Sequence, residues 1–261
     1  MMSINGYIEV DGVINKVTSV DDLKQVVQSL GKDFTELNEA EFIKITSKYY
    51  NDKECIRDDC RVIYKNKHLV CSEEPLGEYK IADGTLVIQN NAFYYYVVSE
   101  NGVKQILVRN LGRLVLPQSI IAIGDNAFSC NNVEDIFWSD SILYIGLSAF
   151  YGCNCIKGKL VLPKDLRFLE ASAFQYCVGI SSVVFSDKIE VIGSHAFAQC
   201  KSLKSVYIPN SVKRVGSGVF DDCFALESIY IPKGSKEKFS EFFPFLTDKL
   251  VETETDEHSK I

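Results

Sequence analysis

One residue pattern recurs five times in the second half of the chain, and it constrains the fold more than any other feature. Aligned on an alanine–phenylalanine pair, the copies end at Cys130, Cys153, Cys177, Cys200 and Cys223, with spacings of 23, 24, 23 and 23 residues. A fixed period of this length is typical of a solenoid, in which each unit buries its apolar side against its neighbours. The sequence therefore predicts a stack of coils.

The alanine–phenylalanine pair predicts the apolar interior of this stack. Each copy carries one such pair or its valine variant, and an enclosed phenylalanine buries about 150–250 Å². The cysteines share one repeat position, so we interpret them as a column of small buried hydrophobes rather than as disulfide partners. The phenylalanines are Phe128, Phe150, Phe174, Phe197 and Phe220, and an earlier copy ends at Phe93.

Each copy also contains two short strands. In the first strand, alternation directs Val206 and Ile208 inward and Tyr207 outward. A glycine at the corner after the second strand permits backbone conformations that other residues avoid. One copy has Glu170 there, which predicts a different corner. The expected fold class is a repeat solenoid, mainly β, with parallel strands and short helical or irregular turns.

Local signals divide the rest of the chain. We expect a small α+β cap or accessory module, mainly helical, over residues 1–59, with helices after Ser19 and Asn38. The solenoid spans residues 60–232, a C-terminal cap spans 233–252, and a disordered tail spans 253–261. The apolar side of the C-terminal cap is assigned to Phe239, Phe242, Phe243, Phe245 and Leu246.

Two hairpins are predicted near the start of the array. One spans residues 60–71 and turns at Lys65-Asn66-Lys67. The other explains why Phe93 and Phe128 are 35 residues apart, which leaves an insertion of about 12 residues beyond one period. That insertion is expected to form a hairpin or an enlarged loop, with Asn101-Gly102 as the candidate turn.

The repeating frame P-x-S-[IV]-x-x-[IV]-G-x-x-A-F-x-x-C resembles that of BspA-like leucine-rich-repeat proteins of bacteria. The spacing of Leu203, Val206 and Ile208 is similar to the L-x-x-L-x-L core of leucine-rich repeats. The resemblance covers residues 114–232 and extends to the copy that ends at Phe93. It implies a leucine-rich-repeat fold, a role in binding that includes adhesion, and a location on the cell surface or outside the cell.

The compartment stays open at this stage. The N-terminus lacks the basic flank and apolar run of a secretory signal, which predicts a cytoplasmic protein if the numbering begins at the native N-terminus. The resemblance implies the cell surface or secretion instead. No segment approaches the roughly 18 apolar residues of a membrane-spanning helix, so we expect no membrane insertion.

Composition and motifs argue against several chemistries. The net charge of −7 disfavours nucleic-acid binding, which needs a basic face. Glycine-rich phosphate-binding motifs are absent from the sequence, so no cofactor is expected. His195 shares its repeat position with varied residues and is interpreted as a solvent-exposed corner. We therefore expect a protein that is not an enzyme.

One cluster leaves alternatives open. Cys55, Cys60, His68 and Cys71 are residue types that bind zinc, although structural zinc sites usually have tighter paired spacing. A disulfide between Cys55 and Cys60 is a second alternative, and unpaired or buried thiols are a third.

The outward row of the first strand is the candidate binding surface. Equivalent positions of stacked coils form a continuous row, and aromatic residues are typical anchors of interfaces. Outward strand positions also favour aromatic and branched residues for purely structural reasons. The leading hypothesis is a non-catalytic protein- or glycan-binding module, and the alternative is a scaffold or spacer whose N-terminal module carries recognition. The row consists of Val115, Phe137, Val161, Val184, Tyr207 and Tyr230.

Overall fold

The computed structural model describes residues 80–94 and 110–254 in full, together with the backbone of the strands outside these ranges. In the N-terminal part, β1 pairs with β2 and β3–β4–β5 form a further antiparallel unit. These strands are β1 (Gly6–Val10), β2 (Val13–Val17), β3 (Ile56–Arg57), β4 (Val62–Lys65) and β5 (His68–Ser72).

The predicted hairpin of residues 60–71 is confirmed, because β4 and β5 pair antiparallel with Lys65 opposite His68. The β1–β2 hairpin was missed, although Asp11-Gly12 between the two strands is a strong hairpin signal. The two predicted helices and the pair Cys55 and Cys60 lie outside the described residues. The divisions at residues 59, 232 and 252 stay predictions.

Each coil of the array contributes one strand to each of two faces, and we name a coil after its column phenylalanine. The Phe93 coil contains β6 (Tyr79–Lys80) and β7 (Val87–Ile88), and the hairpin of β8 (Tyr96–Val98) with β9 (Lys104–Ile106) follows it. This antiparallel pair confirms the predicted insertion. The later strands are β10 (Asn110–Val115), β11 (Ala122–Ile123), β12 (Asn132–Phe137), β13 (Tyr144–Ile145), β14 (Gly158–Val161), β15 (Phe168–Leu169), β16 (Ile180–Val184), β17 (Val191–Ile192), β18 (Ser205–Tyr207), β19 (Arg214–Val215) and β20 (Ser228–Pro232).

Parallel pairing between successive coils confirms the solenoid. The second strands join β5, β4 and β3 in one nine-stranded sheet, in the order β19-β17-β15-β13-β11-β7-β5-β4-β3. The first strands form two separate sheets, one of three strands in the order β12-β10-β6, and one of five in the order β14-β16-β18-β20-β21, where β21 is Leu250–Thr253.

The phenylalanine column fills the interior as predicted. Its rings stack from one coil to the next with centroids 4.9–6.3 Å apart. Five of the six column side chains are 0% exposed, and Phe220 in the last full coil is 5% exposed. The column also continues into the C-terminal cap, where the centroid of Phe243 lies 5.6 Å from that of Phe220. Apolar stacking therefore runs through the whole described array.

The cysteine column differs from the prediction at its first member. Cys153, Cys177, Cys200 and Cys223 are buried, and each Sγ donates to the carbonyl of the preceding coil's phenylalanine at 3.1–3.3 Å. Cys130 lies one residue too early and is half-buried. The following residue, Asn131, takes the column position and donates its Nδ2 to the Phe93 carbonyl at 3.1 Å.

The corner glycines are needed for close approach rather than for an unusual dihedral angle. A Cβ at Gly193 would lie 2.3 Å from the backbone nitrogen of Ala171 in the preceding coil. The difference that is predicted for the corner does not extend to the backbone hydrogen bond of Glu170. Its N–H donates to the Ile145 carbonyl at 2.9 Å, the same bond that Gly193 makes with Leu169 at 2.7 Å.

From the Phe128 coil to the Phe220 coil, each turn instead contains two left-handed positions, two residues before and two residues after the phenylalanine. In the Phe197 coil these are His195 and Gln199, with φ of 57° and 62°. Asparagine, serine and glycine fill the first position in the other coils, which are residue types that tolerate or adapt to this conformation. The variability at the His195 position therefore has a backbone cause.

The C-terminal cap is an incomplete further coil. The helix α1 (Lys236–Phe242) follows β20, and β21 then pairs in parallel with β20, with Leu250 opposite Ile229. Phe239 and Phe243 are buried, and Phe242 and Leu246 pack partly buried against the core. Phe245 contradicts its assignment to the apolar side of the cap, because it is 94% exposed.

Candidate partner-binding face

The six predicted anchor residues do lie in equivalent register positions on the first strands. Val115 pairs with Phe137, and Val161, Val184, Tyr207 and Tyr230 follow one another across the five-stranded sheet. The strand pairing extends this row to Lys80 at one end and to Val251 at the other. We call this set of positions, from Lys80 to Val251, the strand row.

The strand row is not uniformly accessible. Phe137 is 45% exposed and Val161 is 51% exposed, whereas Val115, Val184 and Tyr230 are half-buried. Tyr207 was predicted to point into solvent, but it is only 3% exposed. Burial and the nearby Asp187 carboxylate raise the pKa of the Tyr207 hydroxyl to about 12. A side chain this enclosed is a poor anchor for a partner that approaches from outside.

The strand row is interrupted between its two most exposed apolar members, Phe137 and Val161. Phe137 ends β12 in the three-stranded sheet, and Val161 ends β14 in the five-stranded sheet, so the two strands face each other without ladder pairing. Two changes of length coincide with this interruption. The step from Phe128 to Phe150 is 22 residues, and the step from Phe150 to Phe174 is 24. In the longer coil, Gly158 has a φ of 74°, and the pairing of β14 with β16 shifts register between Gly158 and Lys159.

Opposite charges flank the interruption. Glu134 and Asp135 are exposed on β12, and Lys157 and Lys159 are exposed beside and within β14. The guanidinium carbon of Arg113 lies 4.9 Å from the ring centroid of Phe137, a distance typical of a cation–π contact. The strands that carry the exposed residues Phe137 and Val161 therefore also carry exposed charged residues of both signs, and polar residues around an apolar centre are typical of many interfaces.

The interior of the array offers little reactive chemistry. Burial raises the pKa of the Cys177 thiol well above its ordinary value, and it raises the pKa of Cys223 to about 12. These thiols are therefore protonated and unreactive near neutral pH. Across residues 80–94 and 110–254, no group of three or more metal-ligating side chains comes together. His195 lies 3.7 Å from the Asp221 carboxylate on the surface of a turn.

Three exposed apolar side chains were missed by the sequence reasoning. Leu147 follows the second strand of the Phe150 coil and is 45% exposed. Phe224 is 79% exposed and follows Cys223 directly, at a position that Asn154, Val178 and Lys201 occupy in other coils. With Phe245, these residues lie outside the strand row. The only sequence signal was an aromatic residue at Phe224 where the other coils vary.

The comparisons with known proteins agree with this architecture. The family described as the BspA type leucine rich repeat region matches residues 72–181 and 167–248, with six copies. No curated protein matches the sequence. Within the described part of the chain, no helix combines the length and the apolar character that crossing a membrane requires.

Several solved structures are similar to this chain. The leucine-rich-repeat protein TpLRR of T. pallidum is 33% identical over 53% of this chain and 68% of that chain, with a TM-score of 0.42. The pneumococcal vaccine antigen PcpA is 19% identical over 72% of this chain and 52% of that chain, with a TM-score of 0.55. A leucine rich cell surface protein from Faecalibacterium prausnitzii is 18% identical over 70% of this chain and 54% of that chain, with a TM-score of 0.47. The chain thus spans about half the length of the latter two.

Proposed function

The chain belongs to the BspA-type leucine-rich-repeat family, and on that premise we propose that it is a non-catalytic binding module for a protein or glycan partner. Leucine-rich repeats of this type are generally binding or adhesion modules of bacterial surface proteins. The proposal includes the cell surface or secretion as the location. The contact area is centred on Phe137 and Val161 rather than on the whole strand row.

One observation carries the proposal: the two most exposed apolar residues of the strand row lie on either side of the interruption in its sheet. A partner can contact Phe137 and Val161 together, because neither side chain is covered by a neighbouring strand. Aromatic side chains are enriched at interfaces, and a few anchors carry most of the binding energy, so Phe137 is the principal anchor and Val161 extends the apolar contact. The charged rim of Glu134, Asp135 and Lys159 contributes orientation more than affinity.

The rigidity of the surrounding array supports a binding role. The strands on both sides of the interruption are fixed by parallel ladders, and the phenylalanine column holds the coils in register beneath them. A surface that is ordered before binding loses little conformational entropy when a partner arrives. Shallow recognition by a few anchors is therefore feasible on this face.

The test compares a double variant with a control of equal exposure. Phe137→Ser with Val161→Ser removes both anchors, and Leu147→Ser removes a side chain that is 45% exposed, as Phe137 is, outside the strand row. The three proteins are immobilised and probed with a host extracellular-matrix extract and with a glycan array. We expect retention of the ligand to fall at least about tenfold for the double variant, equivalent to about 1.4 kcal/mol, and to be unchanged for the control.

Unchanged ligand binding by the double variant would contradict the proposal. If a ligand is captured by the original protein and by the folded double variant with equal strength, the strand row is not the contact surface. Such a result favours the alternative in which the array is a scaffold and the N-terminal module carries recognition. Circular dichroism of each variant establishes that the fold is retained before binding is compared.

A further inference from the structure

Successive turns of the solenoid are joined by a ladder of three backbone hydrogen bonds per step. In the Phe174 coil, the N–H groups of Ser172, Phe174 and Tyr176 donate to carbonyls of the next coil at 2.8, 2.8 and 2.9 Å. The same three positions donate in the Phe128, Phe150 and Phe197 coils. Each turn therefore presents its donors toward the C-terminal end of the array.

The last full coil has no further turn to receive these donors. The corresponding N–H groups belong to Gly218, Phe220 and Asp222, and within residues 80–94 and 110–254 they meet no acceptor. The chain that would form the next turn is instead the end of α1 and the segment that follows it. Three donors at alternate residues thus form an open edge that faces the C-terminal cap.

A cleft of about 620 Å³ lies at this open edge. Residues 215–224 of the last coil form one wall, and residues 241–246 of the cap form the other. The floor contains the enclosed side chains of Phe220 and Phe243, and the rim carries Phe224 and Phe245, which are 79% and 94% exposed. Two large aromatic side chains this exposed on one cleft are unusual for a surface without a partner.

The charge of the cleft has one sign. Asp221, Asp222 and Glu241 are exposed and line it, and its lining contains no lysine, arginine or histidine. Carboxylates beside an apolar surface attract a partner that carries cations next to apolar groups. The donors, the aromatic rim and the acidic lining therefore select the same kind of occupant.

We propose that this C-terminal cleft binds an extended peptide segment of a protein partner in which lysine or arginine alternates with apolar residues. Main-chain carbonyls at alternate residues of the segment accept from the N–H groups of Gly218, Phe220 and Asp222, as the carbonyls of the next turn do elsewhere. Its apolar side chains pack between Phe224 and Phe245, and its cations lie beside the acidic side chains. The addition of a strand-like segment to an open ladder edge is an established form of peptide recognition. The cleft is separate from the strand row, so the two proposals fail independently.

The first experiment measures affinity for defined peptides. Fluorescein-labelled heptapeptides in which lysine alternates with phenylalanine or leucine are titrated with the full chain, and peptides with glutamate in place of lysine serve as the probe control. We expect saturable binding of the basic peptides and none of the acidic ones. Phe224→Ser with Phe245→Ser weakens binding by at least about tenfold, and Asp222→Lys with Glu241→Lys weakens it similarly. A control with equal charge change at exposed positions outside the cleft and the strand row, Asp83→Lys with Asp140→Lys, leaves it unchanged.

The second experiment reads the backbone donors directly. In the free protein the amide protons of Gly218, Phe220 and Asp222 exchange rapidly with solvent, because no acceptor holds them. The matched amides of Ser172, Phe174 and Tyr176 exchange slowly. A bound basic peptide slows exchange at the first three positions and leaves the matched three unchanged. If the peptide binds without this protection, the proposed main-chain pairing is wrong.

Three further outcomes overturn the proposal. Absence of binding by every basic peptide, with the fold intact, removes the assigned partner. Self-association in sedimentation that Phe224→Ser with Phe245→Ser abolishes assigns the cleft to a second copy of the chain. Binding that appears only after residues 255–261 are deleted assigns the cleft to the chain's own C-terminal residues.

Discussion

The two faces of the solenoid respond differently to the same irregularity in the sequence. The second strands form one continuous sheet across the 22- and 24-residue steps, whereas the first strands separate into sheets of three and five strands at that place. Both faces belong to the same coils, so the difference is not one of composition. It shows that the side of the coil adjoining the turn and phenylalanine column keeps its register, while the first-strand side absorbs the change in length.

The energetic reason lies in what each face would lose. A break beside the column would separate stacked rings such as Phe150 and Phe174, whose centroids are 5.1 Å apart. Loss of such a side chain from a core costs about 3–5 kcal/mol. A break in the first-strand ladder exposes backbone groups to water, and each exchanged hydrogen bond costs only about 0.5–1.5 kcal/mol. The interruption therefore occurs where it is least destabilising, and it leaves Phe137 and Val161 exposed.

The largest expected effect is the difference in stability lost when a phenylalanine is removed from the column or from the strand row. Phe174→Ala leaves a cavity between two stacked neighbours, and we expect unfolding to become easier by about 3–5 kcal/mol. Phe137→Ala removes a half-exposed ring, and the expected cost is below about 1 kcal/mol. Urea denaturation followed by the fluorescence of the single tryptophan, Trp138, measures both, because its ring contacts Phe150 and Phe174. If the two variants lower the free energy of unfolding equally, the column is no more important for stability than the strand row, and the comparison of the two faces is wrong.

A smaller effect tests the hydrogen-bonded column beside the phenylalanines. Asn131→Ala leaves the Phe93 carbonyl without its 3.1 Å donor, and the expected cost is about 1–3 kcal/mol. Asn131→Cys places at this position the residue that the other coils use, so it should retain most of the lost stability. The same denaturation experiment compares the two. If the cysteine variant is no better than the alanine variant, Asn131 is not equivalent to the column cysteines.

The smallest perturbation uses the thiols themselves and needs no substitution. Burial raises the pKa of Cys177 and Cys223, so both thiols stay protonated at about pH 8, and only the thiolate reacts with iodoacetamide. We expect the half-buried Cys130 and Cys155 to be alkylated at least about tenfold faster in the native protein. The rate for Cys223 should rise as the pH increases toward its pKa of about 12.

Mass spectrometry of the alkylated peptides gives the rate at each cysteine. In denaturant the buried and half-buried thiols should react at similar rates, which is the control for intrinsic reactivity. Native labelling of Cys177 as fast as that of Cys155 would place the column in water and contradict the described packing. Slow labelling of Cys130 would indicate that its thiol is buried in the cysteine column, contrary to its half-buried position in the structure.

The sequence predicts those parts of the fold that depend on one repeating contact. The spacing of phenylalanines from Phe128 to Phe220 is enough to predict the stacked interior, because each ring contacts its counterpart in the next coil. The error at Cys130 came from assigning all five cysteines to one repeat position, although Cys130 follows its phenylalanine by two residues and the others follow by three. Counted from Phe128, the position that Cys153 occupies after Phe150 belongs to Asn131. There, an amide and a thiol both donate a hydrogen bond to the carbonyl of the preceding coil's phenylalanine. The sequence does not show this equivalence, because the two residue types are different.

Other features depend on surroundings that the repeat does not encode. Alternation in β18 gives the outward direction of Tyr207, but its enclosure depends on the side chains around it. Apolar character suggested that Phe245 covers the core, although Phe243 already holds the column position above Phe220. The interruption beside Phe137 could have been predicted, since a short step followed by a long one must shift the strands relative to each other. The open donors at Gly218 could not have been predicted from the sequence, because they depend on a helix that takes the place of the next turn.

The paired steps of 22 and 24 residues also have a consequence for how such arrays change. The second strands stay in one sheet across both steps, so a residue gained or lost on the first-strand side leaves the coils downstream in register. A change of length of this kind therefore requires no adjustment of the distant repeats. New surface shapes arise at the seam between the two altered coils, while the rest of the array stays intact.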